Sequence, residues 1–196
     1  MLAIGLTGAA ASGKSTVAGF FAEAGAAVFD ADRVVHALYR AEAAPLVEAA
    51  FPGVTVAGAV DRKLLGRQLT SDEALKKLEA IVHRLVRQRE AAFLEMAARS
   101  GRRLAVLDIP LLFETGGGDR VAAVVVTSAP DAVRMERLRA RGTPEAVVAR
   151  LEARQMTDPE KRRRAHFIIE TGGTLAATRR AVDDVIRAMA GTASGG

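Results

Sequence analysis

Short apolar segments recur along the chain, and longer amphipathic segments separate them. Five of the short segments are almost entirely apolar and span residues 2–7, 26–29, 104–109, 121–127 and 167–169. Short apolar runs of this kind are typical of parallel strands that are buried on both faces. Their alternation with helical patterns predicts an α/β fold with a doubly wound, five-stranded parallel sheet.

The spacing of these strands also predicts how the chain is organised. The first helix is expected over residues 15–24, with Gly25 as its stop signal. The connection after the second strand is too long for one crossover helix and contains a helical pattern of its own over residues 72–99. We expect a single domain, residues 1–196, made of a core of residues 1–30, 104–128 and 165–190, a helical insertion of residues 31–103, a helical lid of residues 129–164 and a flexible tail of residues 191–196.

Composition narrows the class of protein. With 196 residues, 49% of them hydrophobic, the chain can bury a core as one domain. The chain has no cysteine, which excludes disulfides, thiolate metal sites and a cysteine nucleophile and fits a reducing compartment. No targeting segment or membrane-length apolar run is evident, so we expect a cytoplasmic protein without a membrane partner.

The net charge of +5 has two explanations. A basic chain can bind nucleic acid, but aromatic residues for base stacking make up only 4% of this one. Small anionic substrates explain the charge equally well. We expect no specific nucleic-acid partner, and the sequence does not indicate an oligomeric state.

A phosphate-binding loop follows the first predicted strand. Residues 8–15 fit the pattern G-x-x-x-x-G-K-[ST]. Glycines at both ends of such a loop let backbone N–H groups surround phosphate oxygens, and the next helix presents its positive end. Lys14 is expected to reach the outer phosphates and the Ser15 hydroxyl to hold Mg²⁺. The candidate nucleotide-binding residues are Gly8, Ala11, Ser12, Gly13, Lys14, Ser15 and Thr16.

Carboxylates follow the second and third predicted strands. Asp30 and Asp32 come at the end of a strand that should neighbour the first, where ligands of open α/β sheets bind. A carboxylate there can orient an acceptor hydroxyl and take its proton, although either aspartate can instead cap the helix that begins near Arg33. Asp108 ends the third strand and is a candidate for a Mg²⁺-linked acid or for a local pair with an arginine.

The residues after Asp108 combine apolar and acidic side chains. Leu112 and Phe113 offer apolar surface beside Glu114, which suits the wall of a small-molecule site. Core packing explains the apolar pair equally well.

The lid segment is rich in arginine. The spacing of Arg134, Arg137, Arg139 and Arg141 puts different members of the set on different helix faces, so they cannot all bind one phosphate. A solvated charged face is the alternative for each of them, and the basic run 161–164 is expected to be mostly solvated surface.

Several of these motifs together resemble the dephospho-CoA kinase family, and the resemblance extends to about residue 186. The Asp30-Ala31-Asp32 motif combined with the Pro-Leu-Leu-Phe-Glu motif at 110–114 is its most specific part. The resemblance implies a P-loop kinase fold and transfer of the γ-phosphoryl group of ATP to the ribose 3′-hydroxyl of dephospho-CoA, which yields CoA and ADP. The residues that carry it are 5–8, 12–16, 30–32, Asp61, Arg62, His83 and 110–114, followed by the arginine-rich lid.

The resemblance also implies residue roles. Asp32 becomes the catalytic base and Asp30 a polar or Mg²⁺-water contact. Arg141, before Gly142, becomes the first candidate to stabilise the developing phosphoryl charge, with Arg137 as the second candidate and a nucleotide contact. The residues expected to contact the acceptor substrate are Thr7, Asp30, Asp32, Arg62, His83, Leu112, Phe113 and Glu114.

The chain departs from the family pattern at two places. Arg84 follows His83 where the family usually has proline, so a solvent-facing or capping histidine is the alternative at His83. Near the last strand, His166 and Thr171 replace the usual aspartate and asparagine, which leaves backbone groups near Thr171 as the expected adenine contacts.

Other functions compete with this interpretation. Another small-molecule kinase of the P-loop type differs only in its acceptor. A GTPase switch lacks support because the chain contains no asparagine for an Asn-Lys-x-Asp guanine-binding motif. The hypothesis of a nucleic-acid-associated ATPase is supported only by the basic pI of the chain.

Overall fold

The computed structural model describes residues 1–193 and contains a five-stranded parallel sheet and a separate two-stranded hairpin. The strands are β1 Leu2–Gly8, β2 Ala27–Asp30, β3 Thr55–Val56, β4 Ala59–Val60, β5 Leu104–Asp108, β6 Ala123–Ser128 and β7 Phe167–Glu170. Each of the five apolar segments forms one strand of the large sheet. The predicted fold class is therefore confirmed. The strands of the large sheet lie in the order β2-β5-β1-β6-β7, so the expectation that the second strand neighbours the first is wrong, because β5 lies between β2 and β1.

The helices follow the amphipathic segments. They are α1 Lys14–Glu23, α2 Ala31–Leu38, α3 Ala43–Ala50, α4 Arg62–Gln68, α5 Asp72–Arg99, α6 Asp131–Ala140, α7 Glu145–Ala153, α8 Asp158–Arg164 and α9 Leu175–Ala193, with a 3₁₀ turn at Gly118–Arg120. Because α9 continues to Ala193, the first residues of the predicted tail 191–196 are helical, and residues 194–196 lie outside the described part of the chain. Within residues 1–193, no helix is long and apolar enough to span a membrane.

The large sheet is buried on both faces. Ala123 and Val125 of β6 join the core beneath α1 and α9, whereas Val124 and Val126 join a second cluster with Leu112 on the other face. Successive residues of a strand point to opposite faces, so this double burial explains why β6 is apolar at almost every position.

The chain divides into two compact units. The first comprises Met1–Phe29 and the chain from Ala97 onwards, and the second is Asp30–Met96. The second unit has its own core, which includes the fully buried Val47 and Val54. The predicted insertion, 31–103, ends later than this unit because the last turn of α5 belongs to the first unit, where Ala97 is buried.

The hairpin β3–β4 in the second unit was not predicted. Its two-residue turn has positive φ at both positions, 50° at Ala57 and 77° at Gly58, as tight hairpin turns require. Strands of two residues carry no recognisable alternation, and alanine is not a usual turn residue. The carboxylate of Glu48 supports the segment before the hairpin, because it accepts hydrogen bonds from the N–H groups of Gly53 and Thr55 at 2.6 and 2.9 Å.

Candidate active site

The loop between β1 and α1 depends on its two glycines. A Cβ on Gly8 would lie 2.5 Å from the hydroxyl oxygen of Ser12 and 2.7 Å from the carbonyl oxygen of Thr127, so no larger residue fits. Gly13 has φ 82°, in the left-handed region that favours glycine. Ala11 also has a positive φ, of 58°, although alanine rarely adopts it. The loop therefore holds a conformation that the glycines permit and that Ala11 adopts at a cost of about 1 kcal/mol.

Three consecutive carbonyl groups of this loop are held on its outer side. The carbonyl oxygen of Ala10 accepts from Arg134 Nε at 2.9 Å, that of Ala11 accepts from Arg137 Nη1 at 3.1 Å, and that of Ser12 accepts from Thr171 Oγ1 at 2.6 Å.

The fixed carbonyl groups determine where the amides point. In a trans peptide, the N–H of the next residue points opposite to the carbonyl group, so the Ala11 amide points away from Arg134 of α6 and the Gly13 amide away from Thr171. The first amides of α1, at Lys14 and Ser15, have no carbonyl one turn earlier to bond. A helix N-terminus that follows such amides forms an anion-binding concavity, as the motif predicted.

Lys14 is ion-paired within the first unit. Its Nζ contacts Oδ1 of Asp108, whose side chain is 7% exposed. The strand register brings them together, because Asp108 at the end of β5 pairs with Leu6 of β1, shortly before the loop. Of the alternatives for Asp108, the structure thus shows a local pair, with a lysine rather than an arginine.

The two residues that follow Lys14 are exposed, so a ligand can contact them. Ser15 and Thr16, in the first turn of α1, are both exposed.

Asp30 and Asp32 differ in their local roles. Asp30 caps α2, since its Oδ1 accepts a hydrogen bond of 2.9 Å from the N–H of Arg33. Asp32 lies in the first turn of the same helix and is exposed. The capping alternative therefore applies to Asp30, and the Asp32 carboxylate does not cap α2.

Two predicted acceptor contacts lie on helices of the second unit. Arg62 is the first residue of α4 and is exposed, and its charge opposes the rise in the Tyr39 pKa that burial of the phenol causes. The cap of α4 is Asp61, which accepts from the N–H of Lys63 at 2.7 Å. His83 is exposed on α5, which fits both a ligand contact and a solvent-facing histidine.

Thr7 of β1 and the segment after β5 contact mainly other parts of the protein. Thr7 is fully buried and donates its hydroxyl hydrogen bond to the carbonyl oxygen of Pro110 at 2.9 Å, so its assignment to substrate is corrected to a structural role. Leu112 is fully buried in the second core cluster, so it offers no surface to a ligand and its assignment to substrate is corrected to core packing. Phe113 is half-buried against that cluster, and Oε1 of Glu114 accepts from the N–H of Met156 at 2.7 Å.

The basic run at the end of the lid contains a buried residue. Lys161 is fully buried and lies 3.1 Å from Oε1 of Glu114 and 3.0 Å from the carbonyl oxygen of Pro110. The prediction of solvated surface is therefore wrong at Lys161, although Arg163 and Arg164 are exposed. A lysine within four consecutive basic residues gives no sequence signal of burial.

The arginines of α6 separate into two groups. Arg134 and Arg137 bind the carbonyl groups of the phosphate loop, and Arg137 Nη2 also donates to the carbonyl oxygen of Thr171 at 2.6 Å. Arg139 and Arg141 are exposed, with Arg141 at the C-cap of the helix. The role of Arg134 was missed, but its three-residue spacing from Arg137 places both on one helix face and was the available signal.

A cavity of about 580 Å³ opens beside the loop. Its lining includes Ala9 of the loop, Ser128 at the end of β6, Arg134 of α6 and Asp158 of α8. A volume of this size is within the range of small-molecule sites.

Comparison with known proteins identifies relatives over nearly the whole chain. A family model described as dephospho-CoA kinase matches residues 2–177. A dephospho-CoA kinase of Mesorhizobium japonicum is 53% identical over 193 residues, which cover 97% of this chain and 98% of that protein.

Solved structures show the same fold. TT1252 from Thermus thermophilus is 37% identical, with a TM-score of 0.83 and coverage of 95% of this chain and 96% of that one. A dephospho-CoA kinase from Campylobacter jejuni is 23% identical, with a TM-score of 0.64 and the same coverage, and supports the fold alone. The phosphate loop, in which Lys14 is paired with Asp108, agrees with the match over residues 2–177. The chain belongs to the dephospho-CoA kinase family.

Proposed function

We propose that the protein transfers the γ-phosphoryl group of ATP to the ribose 3′-hydroxyl of dephospho-CoA and releases CoA and ADP. The observation that carries this proposal is the phosphate loop, with Lys14 held by Asp108 at its rim, in a chain of the dephospho-CoA kinase family. The relative from Mesorhizobium japonicum bears the name of this activity at 53% identity.

The phosphate loop provides most of the binding for the nucleotide. The amides at the start of α1, with the positive end of that helix, favour the oxygens of the outer phosphates. The Lys14 ammonium binds the outer phosphates while it keeps its pair with Asp108, because an ammonium group has three N–H donors. Phosphoryl transfer depends mainly on such positioning and on electrostatic stabilisation.

The side chains near the loop fit a magnesium ion that binds together with ATP. Ser15 presents an exposed hydroxyl and Asp108 a carboxylate, and Mg²⁺ prefers oxygen ligands of this kind, completed by phosphates and water. Among residues 1–193, no group of three or more acidic or histidine side chains forms a dedicated metal cage, which agrees with an ion that requires the phosphates. When bound, the ion neutralises charge on the β- and γ-phosphates.

Asp32 is the proposed base. Its exposed carboxylate accepts the proton of the ribose 3′-hydroxyl while that oxygen forms a bond to the γ-phosphorus, and the bond from the γ-phosphorus to the bridging oxygen breaks to release ADP. Asp30 supports this arrangement by fixing the start of α2 through its cap. Arg62 and His83 are the proposed contacts of the second unit with the acceptor.

Two arginines of α6 have different proposed tasks. Arg137 contacts the nucleotide from its position against the loop and Thr171, where its hydrogen bonds fix the guanidinium plane. Arg141, exposed at the end of the helix, stabilises the charge that develops on the transferred phosphoryl group.

Turnover with a panel of acceptors tests this function. ADP release is measured with Mg²⁺-ATP and, in turn, dephospho-CoA, AMP, CMP, shikimate, gluconate or water alone. The proposal predicts rapid ADP release with dephospho-CoA and with none of the other acceptors. Turnover of another acceptor would keep the kinase chemistry and contradict the substrate, and hydrolysis that is independent of the acceptor would contradict both.

A further inference from the structure

Lys161 is the basic side chain that the proposed chemistry leaves unexplained. It is fully buried in α8, and two oxygens lie within 3.1 Å of its ammonium. A buried ion pair gains little net stability over well-packed apolar residues, because both charges lose their hydration. Stability alone therefore gives no reason for a lysine at this position.

The contacts of Lys161 lead directly to the phosphate loop. The carbonyl oxygen of Pro110 accepts one hydrogen bond from Lys161 and another from the hydroxyl of Thr7 at 2.9 Å. Pro110 is two residues after Asp108, the partner of Lys14. Between them, the N–H of Ile109 donates to the carbonyl oxygen of Leu6 at 3.0 Å, so hydrogen bonds hold the short segment after Asp108 at both ends.

Glu114 holds Lys161 in place. Its Oε1 lies 3.1 Å from the Lys161 ammonium and also accepts from the N–H of Met156 in the connection between α7 and α8. Thus the same carboxylate joins the lid helices to the segment after β5. The charged groups that influence Lys161 are Glu114, Asp158 on its own helix and Lys14 of α1.

We propose that Lys161 is a positioning residue for phosphoryl transfer, whose ammonium fixes the backbone at Pro110 and thereby orients Asp108 and Lys14. This inference rests on the proposed function. The competing explanation is that Lys161 only neutralises Glu114 and maintains the fold.

A double-variant comparison separates the two explanations. Lys161→Met leaves the half-buried Glu114 carboxylate without its partner, so it lowers both stability and turnover under either explanation. Lys161→Met combined with Glu114→Gln removes both charges and restores thermal stability. If Lys161 positions Pro110, kcat of the double variant remains at least tenfold below the wild type, because displacement of catalytic groups by about 1 Å can cost a hundredfold.

The matched control is Arg163→Met, which removes one positive charge from an exposed position of the same helix and should keep kcat within about twofold of the wild type. Recovery of wild-type kcat in the double variant would overturn the inference. An inactive wild-type enzyme would instead contradict the proposed function, so the two failures are distinguishable.

The alkaline pH profile gives a second readout that does not require the methionine variants to fold. Burial lowers the pKa of Lys161 below its usual 10.5, Lys14 adds to this effect, and Glu114 and Asp158 oppose it. The ammonium is therefore lost as pH rises towards 10.5, and kcat of the wild type should decline there. Lys161→Arg keeps its charge and should retain more of the rate at high pH. Identical alkaline declines in the two proteins would overturn the inference.

Discussion

At the scale of single residues, the proposed chemistry depends on a few side chains whose neighbours fix them. Lys14 is paired with Asp108, and Arg134 and Arg137 hold the outer carbonyl groups of the phosphate loop. Donors fixed before the substrate arrives need no reorganisation during the reaction. The residues expected to act on the transferred group, Asp32 and Arg141, are exposed by contrast.

Asp32→Asn tests the base. Asparagine keeps the size of the side chain but cannot take the hydroxyl proton, so kcat should fall by about two orders of magnitude or more while ATP affinity changes little. Steady-state ADP release and ATP titration measure the two quantities. Asp72→Asn, an exposed aspartate in the first turn of α5, is the control and should retain its rate. A rate near that of the wild type in Asp32→Asn would remove Asp32 from the mechanism.

Arg141→Ala tests the stabilisation of phosphoryl charge. Loss of a guanidinium that acts in the transition state should lower kcat by about a hundredfold or more, with a modest change in ATP affinity. Arg139→Ala removes a neighbouring exposed arginine of the same helix and should leave kcat unchanged. Equal rates in the two variants would show that Arg141 belongs to the solvated face of α6.

The sequence predicted residue roles unevenly. The motif predicts phosphate and Mg²⁺ contacts for Lys14 and Ser15 because phosphate chemistry favours those residue types, and these roles remain predictions. It did not reveal that Lys161 is buried or that Arg134 binds the Ala10 carbonyl, since basic residues in a charged helix have the composition of a solvated surface. For Leu112 the sequence could not distinguish a core residue from a ligand contact, because an apolar side chain suits both places equally.

At the scale of elements, strand positions were predictable where burial on both faces makes the residues continuously apolar. The five strands of the large sheet followed from these apolar runs, and the long helix α5 followed from its helical pattern of apolar residues. The hairpin β3–β4 did not, because hydrogen bonds to Glu48 and a strained turn at Ala57 define the segment more than hydrophobic alternation does.

The Glu48 contacts predict acid sensitivity in the second unit. Backbone hydrogen bonds from Gly53, Val54 and Thr55, with the Thr55 hydroxyl, lower the folded-state pKa of Glu48 below its usual 4.5. The carboxylate therefore contributes stability that is fully present above pH 4.5 and is lost as pH falls through the lowered pKa.

Glu48→Gln is the test of this contribution. The variant should have a lower thermal midpoint than the wild type at pH 7, and the difference should shrink as the pH is lowered through the acid range. Thermal unfolding followed by circular dichroism over this range measures it. Glu136→Gln, an exposed residue of α6, is the control and should follow the wild type. A difference that is constant with pH would exclude titration of Glu48 as the cause.

At the scale of the whole molecule, the chain combines a widely shared core with more specific parts. The alternation of strands and helices with the phosphate loop predicts a P-loop fold, but many kinases share that core. We propose that the acceptor is selected by the second unit, Asp30–Met96, through residues such as Asp32, Arg62 and His83. Periodicity predicts that such a unit exists but not which molecule it binds, so the substrate came from resemblance and family membership.

The most direct test of the central claim is to identify the phosphorylated product. The enzyme is incubated with γ-labelled ATP, Mg²⁺ and dephospho-CoA, and phosphorus–proton NMR assigns the position of the new phosphate, with a Lys14→Met enzyme as the inactive control. If the protein phosphorylates dephospho-CoA as proposed, the label enters CoA at the ribose 3′ position, in an amount equal to the ADP released. Label in inorganic phosphate, or at any other position of the acceptor, would contradict it.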